Sequence, residues 1–374
     1  MPHSLQDQAR WGSFERLVTW WRRWSKGRKR GAREEALVKG HRRDRLLQTA
    51  AAAEAEGDAE KMHRCTYKLI RLELYERAWE LRIRAAGLTQ QSPLPEWEGG
   101  DLAGRSILVR AYTPRNRIGE ELRMARFIAP VAEQARRCTV LAEPRLVPLL
   151  GRSFAGAFVR PRGIEDAAAF AEADVAAYYE TIAFHYARTA EEMRRSFVPL
   201  SADPTRAGAL RQRYKLGSNG PLIGISWGSS SGDKVVPDLK SWAPLLGWPS
   251  ATFVSLQYGD IERDLAVLQE LTGGRVIHDT EINQLADLDG FAAQIAALDA
   301  VVSISNTTID MAGMLGVPTL HVRDDKSSAI WPRSGPSPWY PDMIFLYRER
   351  RPWPEVLAEA RARLEHMTPN GGLT

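Results

Sequence analysis

The chain has 374 residues, 44% of them hydrophobic and 26% charged, a balance typical of a globular protein with two ordinary domains. No apolar run approaches the roughly 18 residues that a membrane span requires, and no secretory signal is predicted. The net charge of +5 is concentrated in residues 1–45, which hold 13 Lys and Arg against 5 Asp and Glu, so the remainder is mildly acidic and no nucleic-acid groove is predicted.

The chain offers no sequence pattern for a disulfide framework or a metal site. Cys65 and Cys138 lie far apart, which favours reduced thiols and a cytoplasmic location. His185, His278 and His321 lack the spacing of metal ligands. We therefore assign these histidines no role and predict no cofactor.

Residues 1–45 are predicted to form a basic arm and linker with a tryptophan-rich helix. Aromatic and aliphatic residues recur there at helical spacing among arginines. Such a helix suits peripheral contact of residues 10–30 with an anionic membrane at its inner face. The alternative is docking on the protein's own body or on a partner, with arginine stems covering the rings. The apolar stripe consists of Trp11, Phe14, Val18, Trp21 and Trp24.

Residues 46–95 are predicted to form a helical hairpin. Two helical patterns flank Glu56-Gly57-Asp58, and Gly87 is a plausible stop. The hairpin matches one unit of a tetratricopeptide array, but we find no second copy. A single unit cannot bury its own apolar face, so the hairpin must pack on another part of the protein.

Strand-like and helix-like segments then alternate in two series, which predicts parallel βαβ units. We assign residues 96–215 and 216–366 to two Rossmann-like α/β domains facing a cleft, and residues 367–374 to a tail. Ligands of such sheets bind beyond the carboxyl ends of the strands. The predicted strands are 106–112, 137–143 and 157–161 in the first series, and 221–227, 252–258, 275–279, 300–305 and 318–322 in the second.

The segment "SISNTT" (303–308) places polar residues between a strand and a helix. The first turn of a helix exposes unpaired N–H groups, which can hold phosphate, and Thr307 and Thr308 add hydroxyls. Asn306 can hold a ribose or cap the helix. The alternative is that these residues only cap the helix, as Ser, Thr and Asn commonly do.

Two further strand ends carry polar residues. The loop "GISWGSSSGDK" (224–234) lets the backbone approach a ligand, and Lys234 can neutralise a diphosphate, unless the loop is simply exposed. Gln257 and Tyr258 end the next strand, where they can contact a base, although Tyr258 fits rim packing equally well. Three polar strand ends at one sheet edge predict a diphosphate-bearing nucleotide site.

Residues 97–364 resemble the glycosyltransferase module found behind tetratricopeptide repeats in many bacterial proteins, which is related to heptosyltransferases of the GT-B fold. The resemblance implies a nucleotide-sugar donor in the C-terminal domain and acceptor recognition in the N-terminal domain. It lies in "WEGGDLAGRSILV", "RIGEELRMARFI", "TVLAEPRLVPLLGRSF", "IGISWGSSSGDK", "SWAPLL", "TFVSLQYGD", "DLDGFAAQIAALDAVVSISNTTIDMAGMLGVP" and "SPWYPDM".

The resemblance also assigns site residues. It implies donor-phosphate contacts by Ser226, Trp227 and Lys234, a base or ribose contact by Gln257, and a catalytic carboxylate at Glu120. The remaining positions carried over are Asn306, Thr307 and Thr308 in the phosphate-binding turn, and Trp331, Trp339 and Tyr340 in a late aromatic loop.

The chain departs from the family pattern at four positions. Arg117 replaces a Gly and Glu120 an Asp in the first loop, and Ser305 and Asp310 replace an Asp and a His at the phosphate turn. An acid beside a phosphate is electrostatically unfavourable unless Asp310 points away from it.

Two functions remain open from the sequence. The first is a metal-independent glycosyltransferase in which Glu120, or Glu121 if the register slips, is the general base. Its acceptor would be a surface glycan, a lipid-linked glycan or a protein such as flagellin. The second is a catalytically degenerate GT-B-fold scaffold that docks a partner through its N-terminal helices, with both acids merely favoured by a helix dipole.

Overall fold

The structure is a computed structural model that describes residues 32–89, 92–112, 117–163, 166–229, 234–324, 330–332 and 336–367, without the side chains of 32–39, 88, 89 and 166. The predicted aromatic stripe and the whole of segment 10–30, which is predicted to contact a membrane, lie outside the described residues. The same holds for residues 230–233 of the donor loop and for nearly all of the tail. Within the described ranges, no helix combines the length and hydrophobicity that a bilayer crossing needs.

Three helices precede the sheets: α1 Ala32–Ala55, α2 Ala59–Arg71 and α3 Tyr75–Thr89. The turn after α1 contains Gly57 at φ 66°, as the sequence indicates. The single helix predicted after Asp58 is instead two, because Glu73 adopts φ 59° and ends the helical path. The relation of these helices to a tetratricopeptide unit stays a prediction.

The first sheet has four parallel strands in the order β3-β2-β1-β4. All five residues of β1 are buried, as expected of a parallel strand covered on both faces. Strand β4 was not predicted. The strands are β1 Ser106–Arg110, β2 Arg137–Ala142, β3 Ala157–Pro161 and β4 Val175–Tyr178, and the helices are α4 Ile118–Met124, α5 Ile128–Ala132, α6 Val147–Ser153, α7 Asp166–Ala171, α8 Tyr179–Tyr186 and α9 Ala190–Arg195.

The second sheet has six parallel strands in the order β10-β9-β8-β5-β6-β7, of which β10 was not predicted. Two parallel sheets confirm the predicted α/β fold with two Rossmann-like domains. The strands are β5 Leu222–Ser226, β6 Thr252–Ser255, β7 Val276–Ile277, β8 Ala300–Ser303, β9 Thr319–Arg323 and β10 Met343–Tyr347, and the helices are α10 Pro204–Lys215, α11 Ala243–Leu246, α12 Glu262–Thr272, α13 Leu288–Ala296, α14 Thr307–Met314 and α15 Trp353–Met367.

One hydrophobic core joins the N-terminal helices to both domains. The ring of Trp79 on α3 lies 6.4 Å from that of Phe127 in the first domain and 6.3 Å from that of Trp339 in the second. All three side chains are almost fully buried. The apolar face of the helices is therefore buried inside the same protein, as the sequence requires.

The two domains meet where α4 packs against α14. Gly119 on α4 lies against Asp310 on α14, and a Cβ atom at Gly119 would come within 3.2 Å of the Asp310 Cγ and closer still to its Oδ2. Asp310 cannot easily retreat, because Arg123 Nη1 donates to both of its oxygens at 2.8 and 2.9 Å. The close approach of these helices therefore depends on glycine at position 119.

We expect Gly119→Ala to lower the free energy of unfolding by about 1–3 kcal/mol, the usual cost of overpacking a closed contact. Urea unfolding at neutral pH measures this change. The matched control is Gly208→Ala at an exposed position of α10, where an added Cβ meets nothing within 4 Å and should stabilise the helix by up to about 1 kcal/mol. Equal effects of the two variants would contradict the packing described.

Candidate active site

The carboxyl ends of β5, β6 and β8 meet at one edge of the second sheet, held together by the side chain of Gln257. Its Oε1 accepts from Ser226 Oγ at 3.0 Å, from the Trp227 N–H at 3.0 Å and from the Gly228 N–H at 2.7 Å. Asn306 Nδ2 completes the link by donating to Ser226 Oγ at 2.7 Å and to the Gly228 carbonyl at 3.0 Å. The structure thus brings these predicted donor-site residues together.

Asn306 also caps helix α14. Its Oδ1 accepts from the Thr308 N–H at 3.0 Å and from Ser303 Oγ at 3.1 Å. The capping alternative therefore describes Asn306, and one first-turn amide is already bonded. Thr307 is half-buried, whereas Thr308 is fully buried and its hydroxyl has no partner among the described residues.

Lys234 brings a positive charge to the start of α14. Its Nζ donates to the Ser305 carbonyl at 2.6 Å and to Ser229 Oγ at 2.8 Å. The side chain thereby bridges the loop after β5 and the turn after β8. Lys234 is half-buried, and its ammonium group lies beside the turn that opens α14.

Two predicted donor contacts serve mainly to shape the loop. Trp227 is 4% exposed, and its indole Nε1 donates to Asp264 Oδ2 at 2.8 Å. Gln257 is 5% exposed, and its oxygen is fully engaged. Tyr258 remains half-buried at the end of its strand, so it is the more accessible of the two residues predicted to contact a base.

Sequence reasoning missed a contact at this edge between Ser305 and His321. Ser305 Oγ lies 2.8 Å from Nε2 of His321 on β9, which is fully buried. Burial, followed by the charges of Arg323 and Lys234, holds the pKa of His321 well below its usual value, so the imidazole is neutral. A lone histidine on an apolar strand gives no spacing signal that could have identified this pair.

Glu120 in the first domain is buried in an ion pair with Arg82 of α3. The Tyr67 hydroxyl donates to its two oxygens at 3.1 and 3.3 Å. Arg82 also pairs with Glu180 of α8, its Nε lying 2.7 Å from Oε1. The sequence predicted none of these partners, because Arg82 belongs to a helix that precedes both domains.

The surroundings of Glu120 and Glu180 shift the pKa values of their carboxyl groups in opposite directions. Burial raises the pKa of Glu120, but Arg82, Arg123 and His63 outweigh it, so the pKa is lowered and the carboxylate is ionised at neutral pH. For Glu180, burial outweighs Arg82 and raises the pKa to about 6. Glu120 is thus the more acidic member of the pair.

Glu121, the alternative base, is bonded elsewhere. Its Oε1 accepts from the Glu143 N–H at 2.8 Å, and its Oε2 pairs with Arg162 at 3.2 Å. Burial raises its pKa despite the charge of Arg162. Glu120 and Glu121 are each 5% exposed or less, so neither is the exposed helix-terminal acid that the dipole alternative envisages.

Asp310 is turned into the domain interface. Besides the Arg123 pair, its Oδ1 accepts from the Tyr340 hydroxyl at 2.9 Å. Trp331, Trp339 and Tyr340 of the late aromatic loop are buried there. The negative charge that Asp310 adds beside the predicted phosphate turn is thereby neutralised within the protein.

Other parts of the described structure add neither a metal site nor a donor cavity. No group of three or more His, Cys, Asp or Glu side chains within the described ranges could hold a metal ion. A cavity of about 550 Å³ lies between α3, residues 92–98 and α8, and Trp97, Tyr178, Phe184 and His185 contribute to its walls. None of its lining residues belongs to the polar edge at the carboxyl ends of β5, β6 and β8 (Ser226, Lys234, Gln257, Tyr258 and 305–308), here called the donor edge.

Comparisons with known proteins show the fold. No family model matches the chain. Protein FlbA of Caulobacter vibrioides is 28% identical over 295 residues, which cover 73% of this chain and 48% of FlbA. The chain thus spans about half the length of this curated relative.

Two solved structures share the architecture. Heptosyltransferase II of E. coli, an ADP-heptose LPS heptosyltransferase, matches with a TM-score of 0.51 and 16% identity over 70% of this chain and 98% of its own. The glycosyl transferase family 9 protein of Veillonella parvula matches with a TM-score of 0.50 and 13% identity over 72% and 98%.

The buried ion-pair cluster gives a stability prediction. We expect Arg82→Met to lower the free energy of unfolding by about 3–5 kcal/mol, because Glu120 and Glu180 would be left buried without their cation. Both carboxyl groups would then have raised pKa values in the folded state, so the stability of the variant should fall as pH rises from 5 to 8. Urea unfolding at both pH values measures this.

The control for this variant is Arg64→Met, which removes an exposed pair with Glu60 on α2 and should leave unfolding nearly unchanged. Adding Glu120→Gln and Glu180→Gln to Arg82→Met should restore much of the lost stability and remove its pH dependence. An Arg82→Met protein as stable as the wild type at pH 8 would contradict the cluster.

The chain therefore has the two-domain fold of E. coli heptosyltransferase II and of the family 9 glycosyl transferase of Veillonella parvula.

Proposed function

We propose that the chain is a glycosyltransferase that transfers a sugar from a nucleotide-sugar donor to an acceptor hydroxyl. The observation that carries this proposal is the convergence of three strand ends under Gln257 and Asn306, with Lys234 over the amino end of α14. The fold similarity supports it, because proteins described as glycosyltransferases share this two-domain architecture. The donor is a substrate, and we propose no further cofactor.

The donor would bind at the edge formed by Ser226, Lys234 and Tyr258, with its phosphates at Thr307 and Thr308. Lys234 and the positive end of the α14 dipole would stabilise the charge that develops on the leaving phosphate. Ser226, Trp227, Gln257 and Asn306 would act mainly by holding the backbone of both loops in place. Preformed donors of this kind need little rearrangement at the moment of reaction.

At the acceptor side, Glu120 is the proposed general base. The acceptor oxygen would bond to the anomeric carbon while its proton passes to Glu120 and the bond to the donor phosphate breaks. The lowered pKa keeps Glu120 ionised and able to accept a proton. Because Arg82 and Tyr67 already bond its oxygens, acceptor entry must displace at least one of these contacts.

The proposed acceptor is one of the three classes that the sequence predicts: a surface glycan, a lipid-linked glycan or a protein such as flagellin. Metal independence, a cytoplasmic location and contact of residues 10–30 with an anionic membrane are likewise proposals. The basic composition of the arm supports a membrane-proximal acceptor.

A second candidate function is a catalytically silent scaffold. Two observations favour it: Glu120 is enclosed by Arg82 and Tyr67, and the Arg123–Asp310 pair fills the junction of α4 and α14. In this alternative the buried ion pairs lock the domains together, and the N-terminal helices dock a partner. Nucleotide binding distinguishes the two functions.

We expect at least one of UDP, GDP, ADP and CMP to raise the thermal unfolding temperature at millimolar concentration, because a ligand at 100 times its Kd adds about 2.7 kcal/mol of stability. Lys234→Ala should abolish the shift, whereas Lys240→Ala on the exposed turn after β5 should not. Failure of all four nucleotides would favour the scaffold.

If a nucleotide binds, release of that nucleotide from its sugar conjugate tests the base. We expect Glu120→Gln to lower the release rate about 10²–10⁴-fold because the proton acceptor is lost. Nucleotide affinity should not change, because the residues proposed to hold the nucleotide lie in the other domain. Glu121→Gln tests the alternative base, and Glu60→Gln on the exposed face of α2 is the matched control. Full turnover in Glu120→Gln would show that Glu120 is not the base.

A further inference from the structure

His321 is a fully buried histidine that the proposed mechanism does not use. It stands on β9 between aromatic rings, 5.2 Å from the ring of Trp331 and 5.6 Å from that of Phe345. Its Nε2 lies 2.8 Å from Ser305 Oγ, and its Nδ1 has no partner among the described residues. Nε2 of this buried imidazole is therefore hydrogen-bonded to Ser305, whereas Nδ1 has no hydrogen-bonding partner among the described residues.

This asymmetry assigns the tautomer. In a neutral imidazole, one nitrogen carries a proton and the other has a lone pair. Orphaned buried N–H groups are rarer in proteins than orphaned acceptors. The proton therefore belongs on Nε2, where it is donated to Ser305 Oγ, and the bare lone pair is on Nδ1. The alternative tautomer would bury an unpaired N–H group among aromatic rings.

The tautomer fixes what the Ser305 hydroxyl can do. Its oxygen accepts from His321, so its own proton is left to donate to a different acceptor. His321 is the hydrogen-bond partner of Ser305 Oγ within the described residues. Ser305 is half-buried at the turn that opens α14, so this proton is available to a ligand bound there.

We propose that Ser305, held by His321 in this orientation, donates a hydrogen bond to a phosphate oxygen of the bound donor, and that His321 is a positioning residue for that contact. The inference deepens the proposed function and rests on it. It concerns two residues that the sequence left without a binding role: a histidine with no ligand spacing and a serine at a departure from the family pattern.

Neighbouring groups fit a phosphate at this place. Lys234 Nζ lies 2.6 Å from the carbonyl of the same Ser305, which brings a cation to the turn. The Thr308 hydroxyl in the first turn of α14 is fully buried and has no partner among the described residues. Asp310, the acid of that helix, is neutralised by Arg123 and Tyr340. A cation and the half-buried Ser305 hydroxyl therefore lie together at this turn, and the carboxylate of Asp310 is paired within the protein.

Calorimetric titration of the full chain with pyrophosphate, with UDP, GDP, ADP and CMP, and with their nucleosides tests the contact. Ser305→Ala should weaken pyrophosphate and nucleotide binding about tenfold or more, since hydrogen bonds to charged groups are among the stronger ones. Nucleoside affinity should not change. Unaltered affinities in Ser305→Ala would overturn the inference.

Variants of His321 test its positioning role. His321→Gln can keep an amide donor near the Nε2 position and should retain most of the affinity, whereas His321→Phe keeps the aromatic packing, loses the donor and should bind as weakly as Ser305→Ala. Combining His321→Phe with Ser305→Ala should add little further loss, because both remove one interaction. Additive losses in the double variant would contradict the positioning role.

A direct measurement on the wild-type chain covers the case in which a His321 variant does not fold. Nitrogen-15 NMR of labelled histidine should show His321 as the neutral Nε2–H tautomer at neutral pH. The charged and aromatic groups around the ring are Lys234, Arg323, Trp331 and Phe345. A protonated Nδ1 would overturn the inference, because Ser305 would then donate to His321.

The two proposals can fail separately. If pyrophosphate binds and Ser305→Ala weakens it, but no nucleotide binds, the nucleotide-sugar function falls and the anion contact stands. If nucleotides bind equally well with and without the Ser305 hydroxyl, the Ser305 contact falls and the nucleotide-sugar function stands. Absence of any phosphate binding overturns both.

Discussion

Arg82 is the cation on which the closed arrangement of this chain depends. It stands on a helix outside both sheets, yet it neutralises buried carboxylates on α4 and α8. Burying either carboxylate without a partner would be costly, so the N-terminal helices and the first domain are bound by charge as well as by the shared core. Arg123 and Asp310 extend the same arrangement to the second domain. A site for sugar transfer would therefore lie at a junction of three parts of the chain.

The donor edge combines internal hydrogen bonds with accessible polar groups. The side chains of Gln257 and Asn306 are hydrogen-bonded to neighbouring backbone and hydroxyl groups. The capping alternative and the ligand-binding proposal therefore apply to different residues of one cluster. Lys234, Tyr258, Ser305 and Thr307 are half-buried and lie at the surface of this edge. The bonded residues make the loops rigid, and the accessible ones supply the charge and the hydroxyls.

The α/β fold was predictable because buried parallel strands are short apolar runs between helical patterns, as in Ile107–Val109. Strand β4 escaped detection because Val-Ala-Ala-Tyr lacks β-branched enrichment and runs directly into α8. The break at Glu73 carries no glycine to signal it. The meeting of three polar strand ends followed from the geometry of parallel sheets. The Arg123–Asp310 pair joins residues 187 positions apart. It depends on how two distant helices pack, which no local sequence pattern predicts.

The position of Trp79 has a practical consequence for work on isolated pieces of the chain. Its ring fills the gap between Phe127 and Trp339, and its indole nitrogen donates to the Ala187 carbonyl at 2.8 Å. A fragment that begins near residue 96, after α3, would lack this ring and expose aromatic surface from both domains to water. Such a truncated product should aggregate during purification, so the minimal unit for biochemistry begins with the helices.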